Sequence, residues 1–195
     1  MPSASKILER TWNRLKAHYS ESAPLGAWSR AYRRILGSTY RFLIPSGCRV
    51  LEIGCGSGDL LQHLPDRPLA GIDLVDAQVS AAKKRLPQGQ FTCAAGETAT
   101  FDQTYDYLIL SDTLNEAADA QQLLENLHHA ATPETRLVLN IHNTLWRPLL
   151  GVGALCLPAT WAAASRQWKA GFTGCILLTM GITYSNLWGA RNTDT

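Results

Sequence analysis

Five short apolar runs recur through the middle of the chain: Arg49–Gly54, Leu69–Leu74, Gln90–Ala94, Tyr105–Ser111 and Arg136–Ile141. They lack the strict alternation of a half-exposed sheet, as expected of strands buried on both faces. The segments between them read as helices. One runs from Asp59 to about Leu64 and is ended by Pro65. A second opens at Asp76 as N-cap and closes in a basic turn at about Arg85, before Pro87. A third is capped by Asp119, with Leu123, Leu124 and Leu127 on one face and His128 and His129 at its dipole-favoured end. Two further helices precede the first strand. Leu8, Thr11, Trp12, Leu15 and Tyr19 share helical spacing, and Ala27 to about Phe42 is rich in Arg and Tyr. The alternation predicts an α/β fold: a Rossmann-like, doubly wound, mostly parallel sheet. Ligands of such sheets bind beyond the carboxyl ends of the strands, at the switch point. Gly54–Gly58, Asp73, Ala95–Glu97, Ser111–Glu116 and His142 all fall at those ends.

The run Val50-Leu51-Glu52-Ile53-Gly54-Cys55-Gly56-Ser57-Gly58-Asp59 carries the sharpest chemical signal. Glycines between a strand and the following segment let a cofactor approach the backbone without a Cβ in the way. Asp73 follows Gly54 by nineteen residues and ends the second strand, where an acid accepts hydrogen bonds from ribose hydroxyls. The dinucleotide fingerprint G-x-G-x-x-G places its third glycine where this chain has Asp59; here Gly58 comes one residue early. Glu52, two residues before the turn, disfavours a pyrophosphate and favours a cationic ligand. S-adenosylmethionine, with its sulfonium and ammonium groups, matches that charge. The bland alternative is a tight turn with no ligand.

The composition agrees with one globular domain. The chain has 195 residues, 46% hydrophobic and 17% charged, with a net charge of only +2. The charge is uneven. Residues 1–49 hold nine Lys/Arg against Glu9 and Glu21, so the remainder is acidic overall. Five cysteines (Cys48, Cys55, Cys93, Cys156 and Cys175) with no C-x-x-C imply a reducing compartment. His18, His63, His128, His129 and His142 show no metal-ligand spacing with them, so no metal is expected. Met1–Arg10 is polar and charged, without a signal-peptide pattern, which makes a cytoplasmic location the expectation.

With these residues in view, the chain resembles a class I S-adenosylmethionine-dependent methyltransferase over about residues 40–150. The resemblance rests on VLEIGCGSGDLL (50–61), GIDLVDAQVSAAKKR (71–85), YDYLILSDTLNEAADAQQLL (105–124) and TRLVLNIHNTLWRPLL (135–150). The last two are also similar to methyltransferase modules of bifunctional glycosyltransferase/methyltransferase proteins, through Ser111-Asp112-Thr113 and the run Asn143, Leu145, Trp146 and Pro148. The resemblance implies that Gly54, Cys55, Gly56 and Gly58 pass close to the cofactor and that Glu52 orients that loop. It implies that Asp73 binds the ribose and Leu74 the adenine face. Asp112 and Asn115 would lie beside the sulfonium and the acceptor. The loop after the third strand usually carries two acids; here the first position is Ala95 and only Glu97 remains. A hydroxyl acceptor would need a general base. His142 is the first candidate and Asp112 the second.

The ends of the chain are less typical. Residues 1–45 read as a helical lid segment, 46–148 as the cofactor-binding core and 149–195 as an apolar tail. Tyr19, Trp28 or Tyr32 would contact the cofactor if the lid closes over it; a packed helix pair with a solvated basic face is the alternative. The basic excess also suits anionic headgroups or an acidic substrate. The tail is expected to be truncated or read in an altered frame, because it offers one clear strand, Cys175–Thr183, where the fold ends in two. The reading that results is a methyltransferase acting on a small-molecule, glycan or lipid-linked acceptor, with peripheral membrane contact and oligomeric state left open. A non-catalytic binding module is the alternative. A nucleic-acid methyltransferase is disfavoured because no Pro-Cys dipeptide and no Asn-Pro-Pro-Tyr or Asp-Pro-Pro-Tyr run occurs.

Overall fold

The computed structural model describes residues 4–19 and 27–140. Two helices, α1 (Ala4–Tyr19) and α2 (Ala27–Leu43), precede an alternation of strands and helices: β1 (Val50–Ile53), β2 (Leu69–Asp73), α3 (Asp76–Arg85), β3 (Gln90–Cys93), β4 (Tyr107–Ser111), α4 (Ala120–Leu127) and β5 (Arg136–Asn140). The strands form one sheet in the order β3-β2-β1-β4-β5. Every pairing is parallel. All five expected strands are present, each within a residue or two of its expected bounds. The strand order reverses at β1, which pairs with β2 on one side and β4 on the other. A crevice therefore opens beyond Ile53 and Ser111, where ligands of such sheets bind.

The sheet separates two apolar clusters, and side-chain alternation assigns each strand residue to one of them. Val50, Tyr107, Ile109 and Val138 join Leu36 and Tyr40 of α2, Ile44 just after it, and Val79 and Ala82 of α3. Leu51, Ile53, Leu108, Leu110 and Leu137 join Leu123 and Leu127 of α4 on the opposite face. Continuing the first set towards the carboxyl ends brings Glu52, Ser111 and Asn140 onto the α2 face. All three are buried and polar. A layer of buried polar groups thus lies beneath the carboxyl ends of the strands on this face, while the rest of each strand remains apolar.

Two local expectations are corrected. The segment Asp59–Leu64 is a turn closing in a 3-10 helix at Leu61–His63, not an α-helix. Six residues before Pro65 supply too few hydrogen bonds to offset helix nucleation. Leu60, Leu61 and Leu64 are instead all driven into the core. Asp76 is the first residue of α3 and not its N-cap, which is Val75. Asp73 causes the shift: its Oδ1 accepts the Val75 N–H at 2.9 Å, so the chain turns one residue earlier. Asp119 does cap α4, accepting the Gln122 N–H at 3.0 Å. One structural residue carried no sequence signal. Arg67 is buried and donates to the carbonyls of Arg41 and Ile44, so a guanidinium covers the negative end of α2.

Candidate cofactor site

A cavity of about 310 Å³ lies at the carboxyl ends of β1, β2 and β4, with α1 along one side. That volume is at the lower end of the range for small-molecule sites. Its inner wall is the glycine turn. Gly54 (φ +73°) and Gly58 (φ +75°) both sit in the left-handed region. A Cβ on Gly54 would also lie 2.5 Å from Thr113 Oγ1. Thr113 Oγ1 is held there by the carbonyl of Ile53, to which it donates at 2.7 Å. The turn after β1 and the turn after β4 therefore lock together through a glycine and a hydroxyl.

Asp73 fixes the other side of the same turn. Its Oδ2 accepts the Gly56 N–H at 2.8 Å while Oδ1 accepts from Val75. Burial pushes its carboxyl up from the ordinary carboxylate range, and the backbone N–H groups pull against that. These two bonds use about half of the lone-pair positions of a carboxylate. Capacity remains for the vicinal hydroxyls of a ribose.

Asp112 is the one described non-glycine residue with positive φ (60°). Such backbone strain persists only where surroundings over-determine it. Here Asn140 Nδ2 donates to Asp112 Oδ1 at 2.7 Å, the Tyr32 hydroxyl donates to the same carboxylate at 3.2 Å, and the Asp112 N–H donates to the Asn140 carbonyl at 3.1 Å. Tyr40, buried beneath, donates to Asn140 Oδ1. Burial and the neighbouring carboxyls raise the Tyr32 and Tyr40 hydroxyls above their ordinary range, so both remain donors. A chain of α2 tyrosines thus holds Asp112 through the end of β5.

Gly54, Cys55, Gly56, Asp73, Leu74, Glu97 and Asp112 all line the cavity, together with Ala95. Three expectations change. Gly58 is not on the wall; a Cβ there would press on Leu86 and Ala82 of the α3 region, so its role is packing. Asn115 lines a neighbouring cavity instead. Glu52 lies beneath the turn, fully buried, and neither carboxyl oxygen has a hydrogen-bond partner. Desolvation, with the Arg33 charge opposing it, holds its carboxyl at about 8. The simple charge attraction expected of Glu52 is therefore corrected: without ligand it is largely protonated at neutral pH. Glu97 is buried and its Oε1 accepts the Ala118 N–H at 2.9 Å, so it ties the loop after β3 to the loop before α4. Tyr19 lines the cavity and Tyr32 reaches it through Asp112. The Trp28 side chain and His142 lie outside the described residues.

Arg33 is the cavity-lining residue that the sequence did not single out. It projects from α2 as the one cation on the cavity wall among the described residues, against Asp59, Asp73, Glu97, Asp112 and Glu116. Five arginines or lysines precede the glycine turn in α2 and its flank, and nothing in their spacing marks which one turns inward. Trp12 and Leu15 of α1 also line the cavity. One cation among several carboxylates suits a zwitterion with additional positive charge. It does not suit a pyrophosphate. In charge and in the free lone pairs of Asp73, the site therefore fits S-adenosylmethionine.

A parallel sheet of this order, with a glycine turn after β1 and an acid ending β2, is the Rossmann-like architecture that class I methyltransferases share with dinucleotide-binding folds. The chain belongs to the methyltransferase-domain family, whose model matches residues 44–185, past the point near Leu150 where the motif resemblance stops. Among curated proteins it is similar to malonyl-[acyl-carrier protein] O-methyltransferase of Bacillus anthracis, 30% identical over 95 residues, which cover 46% of this chain and 35% of that protein. It is also similar to trans-aconitate 2-methyltransferase of Variovorax paradoxus, 29% identical over 128 residues, covering 63% of this chain and 49% of that protein. The chain thus spans between a third and a half of the length of these relatives. Among solved structures, the plantazolicin methyltransferase BpumL, in complex with a pentazolic desmethylPZN analogue and S-adenosylhomocysteine, superposes with a TM-score of 0.52 at 22% identity, over 79% of this chain and 58% of that one. A TehB-like S-adenosylmethionine-dependent methyltransferase from Corynebacterium glutamicum gives 0.50 at 20% identity, over 70% of this chain and 71% of that one. Both likenesses are of fold.

Proposed function

We propose that this chain binds S-adenosylmethionine and transfers its methyl group to a small-molecule acceptor, with glycan and lipid-linked molecules as the other candidate classes. The carrying observation is the cavity itself: a glycine turn locked onto Asp73, with Arg33 facing five carboxylates. The cofactor supplies an electrophilic methyl carbon, which an acceptor nucleophile displaces directly from sulfur. The protein's work is then alignment and exclusion of water. Asp73 holds the ribose, Leu74 packs on the adenine, and Arg33 pairs with the amino-acid carboxylate. Trp12, Leu15 and Tyr19 of α1 line one side of the site. Asp112, fixed by Tyr32 and Asn140, is placed to orient the acceptor or take its proton. His142 is kept as the other candidate base.

The small-molecule class draws support from relatives named for a malonyl-[acyl-carrier protein] and for trans-aconitate. The glycan class rests on Ser111-Asp112-Thr113 at the end of β4 and on the run Asn143–Pro148, the latter outside the described residues. Five cysteines with no C-x-x-C spacing are the basis for a reducing, cytoplasmic setting. Among the described residues no helix is long and apolar enough to cross a membrane.

The test is transfer of a tritiated methyl group from S-adenosylmethionine to separated small-molecule, glycan, lipid and nucleic-acid fractions. Label is expected in one of the first three. Label in nucleic acid overturns the acceptor class, and bound S-adenosylhomocysteine with no label in any fraction makes the chain a non-catalytic module.

A further inference from the structure

A second cavity, about 570 Å³, lies against the first, between α1 and the segment after β4. Leu15, Tyr19, Glu116 and Ala117 line both. Within that shared wall the Tyr19 hydroxyl donates to Glu116 Oε1 at 2.7 Å. The rest of the second cavity is rich in donors: the Thr11 hydroxyl, the Arg14 guanidinium, the His18 ring and the Asn115 amide. Its one carboxylate, Glu116, already accepts from Tyr19. Arg14 has no ion-pair partner among the described residues. On the cofactor side of the wall, the indole N–H of Trp12 is shielded from solvent and has no hydrogen-bond partner.

A guanidinium without an ion-pair partner among the described residues, with the Thr11, His18 and Asn115 side chains able to donate beside it, is a lining that can hold an oxyanion. Arg14 and Glu116 balance in formal charge, so a singly charged carboxylate matches the cavity better than a phosphate dianion. The whole of α1 reinforces the sign, with Lys6, Arg10, Arg14 and Lys16 against Glu9. Such a field concentrates anions at the mouth of a cleft. Resting on the methyltransferase reading above, we propose that the second cavity is the acceptor subsite. It takes a small molecule bearing a carboxylate, bound by Arg14 and His18. The acceptor's reacting end passes into the cofactor cavity where the Tyr19–Glu116 bond stands.

The test uses the full chain saturated with S-adenosylhomocysteine and titrated calorimetrically with the monocarboxylates butyrate and 4-hydroxybutyrate and their methyl esters. The acids are expected to bind at least tenfold more tightly than the esters. Arg14→Gln should abolish that difference while S-adenosylhomocysteine affinity stays within twofold. Lys6→Gln, which removes the same charge at the far end of α1, should change neither. Acids and esters binding alike, acids failing to bind, or equal losses in the two variants would overturn the inference alone. Failure of S-adenosylhomocysteine to bind the unaltered chain would remove the methyltransferase reading, and this inference with it.

Discussion

Glu52→Gln isolates the most costly group in the site. The carboxyl is fully buried with neither oxygen hydrogen-bonded. Its value is raised from 4.5 to about 8, chiefly by desolvation. At 1.36 kcal/mol for each pH unit, that difference opposes ionisation in the folded state by about 5 kcal/mol. The sign follows from a raised value. The contribution to stability is complete below about 4.5 and is lost as pH rises through about 8. By pH 7 roughly 3 kcal/mol of it is gone, because the unfolded chain ionises freely while the folded chain does not. Glutamine has similar shape and cannot ionise. The stability of Glu52→Gln relative to the unaltered protein should therefore climb by about 5 kcal/mol between pH 4 and pH 9. Asp73, also raised, is present in both proteins and cancels in the difference. Urea unfolding at five or six pH values reads this directly, with equal m-values as the check on two-state behaviour. Parallel stability curves for the two proteins would show that Glu52 is solvated or paired, and would refute the account of the buried acid.

Gly54→Ala places a Cβ at φ +73° and 2.5 Å from Thr113 Oγ1; it should cost about 1–3 kcal/mol in thermal or urea unfolding and abolish S-adenosylhomocysteine binding. Asp73→Asn turns an amide N–H towards either Gly56 or Val75, both donors, and should weaken S-adenosylhomocysteine at least tenfold by calorimetry, about 1.4 kcal/mol. Arg33→Gln should weaken S-adenosylhomocysteine about tenfold or more yet leave methylthioadenosine, which lacks the carboxylate, unchanged; equal losses for both would remove Arg33 from its assigned role.

The parts of the fold set by repeated patterns were legible in the residues. Each strand is an apolar run bounded by glycine, proline or charge, and the parallel arrangement follows from their alternation with helices. The glycine turn and Asp73 were legible because their function demands specific residue types at a specific spacing. Features set by packing were not. Nothing in Ala-Trp-Ser-Arg-Ala-Tyr-Arg-Arg distinguishes Arg33, which lines the cavity, from Arg34, which is exposed. The link from Tyr40 through Asn140 to Asp112 joins residues 100 and 28 positions apart and has no local signature. The charge expected of Glu52 does not hold, because ionisation depends on burial that a linear sequence does not display. The six residues from Asp59 to Leu64 have apolar spacing compatible with a helix. Length and the following proline decide against one.

Calorimetric titration of the purified chain with S-adenosylhomocysteine and, separately, with NAD tests the central claim most directly. The cavity of Gly54, Asp73 and Arg33 predicts one site for S-adenosylhomocysteine and no measurable binding of NAD, whose pyrophosphate would meet a wall of carboxylates. Binding of NAD with no response to S-adenosylhomocysteine would contradict it.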